Sequence, residues 1–400
     1  MMCLTILFWL SAALVAYTYL LYPLVLGLLA RWWERPVQRG AVPGRSVSIL
    51  LAVHDEEASI DRRLRELTEQ LASAGCQGEI LVVSNGSTDG TVALARAHTK
   101  GPVRVLDIPE KIGKAAALSV AAAEATGDFF VFCDARQWWA ADALERLLEN
   151  FADPSVGAVS GNLIIEKAPG LLAGVGLYWR IEKWLRGRES QLHSMVGATG
   201  AISAVRRELF RPIPAGTILD DVYWPLQVVL QGYRVVLDLR ARAYDRLPAR
   251  TGDEFRRKVR TLGGNFQLLT RLPALLVPWR NPIWVQLVSH KLLRLACPWA
   301  LLALLIASAL LPGLFYQMVF WTQAACYVLA LLGLGTALGT QLRSAAAAAS
   351  FLVLNSAAWL AFWAWLTGRL GPTWGKACYR SEDLLEDAID LLTLEPVSDR

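Results

Sequence analysis

Histidine is scarce in this chain, with four among 400 residues, and none stands beside another or beside a cysteine. The six cysteines (Cys3, Cys76, Cys133, Cys297, Cys326 and Cys378) lack the close pairing of zinc ligands, so a structural zinc site is not expected. Thiols of a cytosolic domain would stay reduced. No G-x-G-x-x-G opens the first strand–helix turn and no G-x-x-x-x-G-K-[ST] occurs, which disfavours a dinucleotide fold and a P-loop. Charge is missing in blocks. Residues 1–30 carry no Asp, Glu, Lys or Arg, nor do the 48 residues between Arg294 and Arg343 or the 25 between Arg343 and Arg369. Those blocks also lack His, which argues against an ion- or proton-coupled transporter. Internal repeats are absent too.

What is present explains the blocks. The chain is 54% hydrophobic and 19% charged, with mean hydropathy +0.35 and 16 Trp; soluble domains carry about 45–50% apolar and about 25% charged residues. Disorder is excluded by the abundance of apolar material. Residues 31–294 are 24% charged with net charge +7, an ordinary soluble composition whose sign suits anionic headgroups and a phosphorylated substrate. About 20 apolar residues cross a bilayer. Leu4–Ala30 is one such stretch, with neither the basic start nor the short apolar core of a cleaved leader. Arg31, Arg35, Arg39 and Arg45 follow it, which places the middle domain in the cytoplasm. Two further spans flank Leu311-Pro312-Gly313, and Ala345–Thr367 is another. Trp279, Trp284, His290, Lys291 and Arg294 mix aromatics and bases as an interfacial helix does. The expected organisation is a transmembrane helix (1–30), a basic linker (31–45), a catalytic domain (46–272), an interfacial segment (273–294), about three spans (295–368) and a polar tail (369–400). Four spans put Lys376 and Arg380 of the tail on the face opposite the domain, against the same rule.

Within the middle domain short apolar runs alternate with helical patterns. Val47–Val53, Ile80–Val83, Val103–Ile108 and Phe129–Cys133 read as strands; helical stretches run from His54 to about Ala72, through His98, over Ile112–Ala125 and over Ala141–Asn150. This rhythm predicts an α/β domain with a mostly parallel sheet and helices on both faces. Ligands of such sheets sit beyond the carboxyl ends of the strands. The polar motifs fall there: His54-Asp55-Glu56, Ser84–Asp89 and Asp134-Ala135-Arg136.

Each motif also has an ordinary structural explanation. Ser84–Gly90 has the chemistry of a turn and helix cap, yet at a strand end the same side chains can bind a base or ribose. Lys111 and Lys114 flank Gly113 before an Ala-rich helix: solvated lysines, or a diphosphate site at a helix N-terminus. Asp134 is a loop residue or a ligand at the end of an apolar strand. Asp220-Asp221 is a helix cap, or a repelling pair in which one carboxyl keeps a raised pKa suited to a general base.

In order, these motifs resemble the family 2 glycosyltransferases, specifically membrane-embedded synthases of the cellulose, hyaluronan and poly-N-acetylglucosamine type. The resemblance runs from about Val47 to Arg260 and implies a Rossmann-like GT-A nucleotide-sugar domain flanked by transmembrane α-helices. His54-Asp55-Glu56-Glu57 and Ser84-Asn85-Gly86-Ser87-Thr88-Asp89 match the motifs after the first and second strands. Gly113-Lys114 with Leu118 matches the stretch near the diphosphate. Gly197-Ala198-Thr199-Gly200, followed by Arg206 and Arg207, is similar to the acceptor-side loop. Leu219-Asp220-Asp221 stands where the family carries Thr-Glu-Asp, whose final Asp is the base, and Arg257-Lys258-Val259-Arg260-Thr261 where processive members carry Gln/Arg-x-x-Arg-Trp. The resemblance thus implies donor binding by His54, Glu56, Ser84, Asn85, Asp89, Lys111, Lys114, Asp134 and Arg136, and catalysis by Asp221 with Asp220, Arg257 and Arg260. It also implies a divalent cation, Mg²⁺ or Mn²⁺, on Asp134.

Three positions depart from the pattern. The family's Asp-x-Asp is Asp134-Ala135-Arg136, so either Arg136 neutralises phosphate or Asp134 binds metal with waters and phosphates. Ser84-Asn85 replaces an Asp pair that contacts uracil in relatives. Thr261 replaces the Trp that stacks on acceptor sugar. The expected function is inverting transfer from a nucleotide sugar, UDP-linked as the resemblance implies, to a polysaccharide or lipid-linked acceptor at the inner membrane. Oligomerisation or a synthase partner would complete any channel, and no nucleic-acid partner is expected. The alternative is a membrane-anchored, degenerate GT-A domain acting as a binding or assembly subunit.

Overall fold

The computed structural model describes residues 1–42, 44–165, 173–246, 251–336 and 342–371; the tail positions Lys376, Cys378 and Arg380 lie outside the described residues. The chain opens with α1, a continuous helix over Met2–Trp32. A π-type turn at Tyr17–Leu21 interrupts it just before Pro23, where proline has no N–H to offer the helix ladder. An alternating segment follows: β1 (Ser46–Val53), α2 (Glu57–Ser73), β2 (Gln77–Asn85), α3 (Thr91–Arg96), β3 (Val103–Ile108), α4 (Lys114–Glu124) and β4 (Phe129–Cys133). Next come β5 (Trp138–Trp139), α5 (Ala143–Leu148), β6 (Val156–Ile165), α6 (Ala173–Leu192), β7 (Ile202–Arg206), α7 (Asp220–Leu230), β8 (Arg234–Asp245) and α8 (Thr251–Arg271).

The strands form one eight-stranded sheet in the order β3-β2-β1-β4-β7-β6-β8-β5. β1 pairs in parallel with both β2 and β4, whereas β7 is antiparallel to β4 and β6. The apolar runs are continuous because both faces are covered. Leu50, Leu81, Phe130 and Phe132 point to the face packed by α4, α7 and α8. Ile49, Leu51, Val82 and Val131 point to the face packed by α2 and α5. On α2, Ile60, Leu64, Leu67 and Leu71 recur on one stripe of the helix and are buried, as a 3.6-residue period requires. Each fully buried side chain of this size stabilises by about 1.5–3 kcal/mol.

Three more apolar helices follow: α9 (Trp284–Leu310), α10 (Leu314–Gly335) and α11 (Arg343–Leu366). With α1 they make four helices long and apolar enough to cross a membrane, among the described residues. The segment 273–294 consists of a 3₁₀ turn at Pro273–Leu276 and, from Trp284, the first turns of α9. His290, Lys291 and Arg294 therefore ride on the same helix that continues to Leu310. Two helices of the sheet domain rest on the apolar ones. Phe266 of α8 stacks on Trp365 of α11 at 5.4 Å, and Trp184 of α6 covers Gly27 of α1, where a Cβ would meet the indole at 3.1 Å.

Candidate active site

Because β1, β2 and β4 are adjacent and parallel, their carboxyl ends share one edge of the sheet. Ser84 and Asn85 are the last two residues of β2 and both are buried, not part of the loop that follows. The Asn85 Oδ1 accepts the backbone N–H of Gly113 at 3.0 Å. Gly113 has φ +88°, a conformation open to glycine and strained for other residues. This turn delivers Lys114 to the first position of α4.

Lys114 is the centre of the site. Its Nζ donates to Asp134 Oδ1 at 2.5 Å and lies 3.9 Å from Asp220 Oδ2. Gly200 closes the other side, since a Cβ there would stand 3.2 Å from Lys114 Nζ and 3.9 Å from Asp221 Cβ. The Gly197–Gly200 loop is anchored by the Ala198 N–H, which donates to the Asp221 carbonyl at 2.7 Å. Asp220 and Asp221 occupy the first turn of α7, whose positive N-terminal end favours carboxylates. Burial nevertheless pushes the Asp221 carboxyl up to about 6, with Asp220 adding to the rise and Lys114 and Arg186 opposing it. Burial also raises Asp220, against Lys114 and Arg260. For Asp134 burial acts upward too, but Lys114, and then Arg136 and Gln137, hold it below its ordinary value. Lys114 is desolvated, yet Asp134 and Asp220 raise it above the usual lysine range. Arg260 of α8 completes the group; it faces both Asp220 and Asp221 electrostatically, and its Nη2 reaches the Ile218 carbonyl at 3.5 Å.

Other sequence candidates are placed differently. Arg136 makes a fork to Asp245 at the end of β8, with Nε–Oδ1 2.9 Å and Nη2–Oδ2 2.6 Å, and Gln137 donates to the same carboxylate at 3.1 Å. Its guanidinium thus forms a bidentate pair with a carboxylate of the fold. Glu56 and Asp89 join two loops. The Glu56 N–H donates to Thr91 Oγ1 at 2.8 Å and its carboxylate accepts from Ser59 Oγ at 2.6 Å, while Asp89 accepts from the N–H groups of Glu57 and Thr91 at 3.3 and 3.1 Å. These bonds hold the β1–α2 and β2–α3 connections together. His54 pairs with Lys111, Nε2 to Nζ 2.8 Å. Arg257 lies one turn before Arg260 on α8.

Among the described residues the protein itself supplies few ligands for a divalent cation. Asp134 already holds the Lys114 ammonium, an arginine stands two residues on, and no group of three ligating side chains occurs among the described residues. Mg²⁺ needs six oxygens near 2.0–2.1 Å, and one ammonium-bonded carboxylate supplies little of that shell.

Sequence reasoning missed Asp245, Gln137 and Arg186. Asp245 is 109 residues from Arg136, and no spacing signal links them.

The glycosyl transferase family group 2 model matches residues 131–340, and the glycosyl transferase family 2 model matches residues 48–213. Poly-beta-1,6-N-acetyl-D-glucosamine synthase of Staphylococcus aureus (strain COL) is 28% identical over 239 residues, 56% of each chain, so the protein spans about half the length of the curated relatives it matches. Glycosyltransferase AglE of Haloferax volcanii is 30% identical over 123 residues, 29% of this chain and 39% of that protein. Among solved structures, the mannosyltransferase PcManGT from Pyrobaculum calidifontis, in complex with GDP-Man and Mn2+, superposes with TM-score 0.63 at 26% identity. That match covers 88% of this chain and 99% of the other.

Proposed function

Since this chain belongs to the family 2 glycosyltransferases, we propose that it moves a sugar from a nucleoside-diphosphate sugar to a glycan or lipid-linked acceptor by a single inverting displacement. The observation that carries this reading is the convergence of Lys114, Asp134, Asp220, Asp221 and Arg260 at the carboxyl edge of the sheet. Asp221 takes the proton of the acceptor hydroxyl. That oxygen attacks the anomeric carbon from the face opposite the diphosphate, and the bond to the diphosphate oxygen breaks with its electron pair. The nucleoside diphosphate leaves as an anion, met by Lys114 and Arg260. A base held near 6 is ionised at neutral pH while remaining a better proton acceptor than an ordinary carboxylate; positioned bases contribute about 10²–10⁴-fold.

For the donor, the buried Ser84-Asn85 end of β2 and the His54–Lys111 pair are the proposed base and ribose side, and the backbone N–H groups at the start of α4 the diphosphate side. UDP-sugars are the first donors to try, and the GDP-Man of the mannosyltransferase makes GDP-sugars the second. If Mg²⁺ or Mn²⁺ participates, Asp134 is its proposed contact, with diphosphate and water filling the shell. Arg31, Arg35, Arg39 and Arg45 after α1 support a cytoplasmic catalytic domain in a multi-pass protein.

The test is nucleoside diphosphate release by the purified full-length protein over a panel of nucleotide sugars, with the product's anomeric configuration read by NMR. Wild type should release diphosphate from one donor with inversion. Asp221→Asn should bind that donor and release almost none. Normal turnover in the variant, or a retained anomer, would sink the assignment.

A further inference from the structure

Proline is rare inside a helix because its ring has no N–H for the i→i−4 ladder and crowds the carbonyl that N–H would have met. α7 nevertheless holds a buried proline, Pro225, in its interior. The carbonyl four residues back belongs to Asp221. Denied a donor from position 225, that oxygen accepts the N–H of Ala198 at 2.7 Å, at the short end of the range for N–H···O bonds. Carbonyls inside a domain need partners, and here the partner comes from a different segment of the chain.

That segment is tied down along its length. Gly197 lies close against the first turn of α7, since a Cβ there would stand 3.0 Å from Val222 Cγ2 and 3.4 Å from the Asp221 carbonyl oxygen, and its φ of +91° suits glycine. The Thr199 N–H donates to Ser160 Oγ of β6 at 3.1 Å, and the Ala201 carbonyl accepts Trp139 Nε1 of β5 at 2.9 Å. Gly200, between these ties, faces Lys114 Nζ and Asp134 Oδ2, from which a Cβ would stand 3.2 and 3.9 Å. The loop therefore runs from the backbone of Asp221 to the Lys114–Asp134 pair, and the Ala198 bond is its fastening at the Asp221 end.

We infer that Pro225 is a positioning residue: by withholding an N–H it reserves the Asp221 carbonyl for Ala198, and so fixes Asp221 relative to Lys114 and Asp134. Any other residue at 225 would bring an N–H that competes for the same oxygen and draws it into the helix ladder. Proline is the poorest of helix formers, so its place one turn beyond Asp221 favours geometry over helix stability. The tie between Pro225 and the loop stands on hydrogen bonding alone; its bearing on transfer rests on the reading of Asp221 as the base.

The test follows hydrogen–deuterium exchange, resolved to single amides by mass spectrometry, in full-length protein in detergent with no nucleotide sugar present. Pro225→Ala and Pro225→Val both supply the N–H, and valine also refills the space of the ring. In each, the Ala198 amide should exchange about fivefold faster, the effect of losing one ordinary hydrogen bond. Val229→Ala removes a fully buried side chain two turns further along α7 and should leave the Ala198 amide exchanging as in wild type. Unchanged exchange in Pro225→Val would overturn the assignment, and so would equal loosening in Val229→Ala, since any weakening of α7 would then suffice. With the donor identified by diphosphate release, Pro225→Val should lower kcat about fivefold at unchanged donor KM; unchanged kcat would detach the loop from the base. A loosened loop in a protein that releases diphosphate from no donor would count against the transferase reading and leave the Pro225 tie standing.

Discussion

Replacing Asp221 with Asn should remove activity and stabilise the fold together. In the folded protein the Asp221 carboxyl is pushed from 3.8 to about 6, chiefly by burial and by Asp220. For an acid whose folded pKa is raised, the proton is bound more tightly in the native state, so stability declines as pH rises from about 3.8 to about 6 and stays lowered above that. Each unit corresponds to about 1.4 kcal/mol, which makes the ionised carboxyl a burden of about 2–3 kcal/mol at neutral pH. Asn keeps the shape and drops the charge. Melting of wild type and Asp221→Asn, followed by tryptophan fluorescence in detergent at pH 5 and pH 8, reads the difference. The variant should melt higher at pH 8, by an amount on the order of 5 °C. Its advantage should shrink by about 1.4 kcal/mol at pH 5, where the wild-type carboxyl is already mostly protonated. An inactive variant with no added stability, or an advantage equal at the two pH values, would refute the picture of a buried, charge-strained base.

Four other outcomes follow from the same geometry. Asp220→Asn removes a neighbour that raises Asp221, so the acid limb of the rate–pH profile, expected near pH 6, should move to lower pH; an unmoved limb would detach the profile from Asp221. Lys114→Met frees Asp134 from its ammonium, so Mn²⁺ binding followed by electron paramagnetic resonance should tighten by about tenfold, the scale of one charge-assisted bond, while transfer falls; weaker binding would contradict the donor-set argument. Arg136→Ala leaves the buried Asp245 without its fork, and should lower stability by about 3 kcal/mol with donor affinity retained in the folded fraction, as a donor-binding assay would show. Arg260→Ala should abolish diphosphate release while leaving detergent-extracted protein monodisperse; unchanged kinetics would return Arg260 to a structural role.

Much of the fold was legible in the sequence because burial leaves a local periodic trace. Val47–Val53 and Phe129–Cys133 are uninterrupted apolar runs since two helical layers cover the sheet, and uncharged blocks of span length mark α1 and α9–α11. Lys114, Asp134 and Asp220-Asp221 could be singled out one by one, as each sits at a strand end or helix start that its neighbours announce. Their mutual distances could not, because these depend on the order in which strands pair. Ser84-Asn85 looked like loop chemistry, and it is pairing that draws them into the strand, Ser84 with Val53 on β1 and Asp107 on β3, Asn85 with Ile108 on β3.

The amino-acid order by itself thus determined the alternating α/β domain, the apolar helices around it and the residue types available for sugar transfer, all encoded within windows of ten to twenty residues. Tertiary structure decided which charges face which. It brought β8 back across the sheet so that Asp245 takes Arg136, closed Gly200 over Lys114, and laid α6 against α9 so that Glu182 gathers His290, Lys291 and Arg294. Charge pairing acts over a few ångströms in space whatever the separation along the chain, and that spatial term is what a linear pattern does not carry.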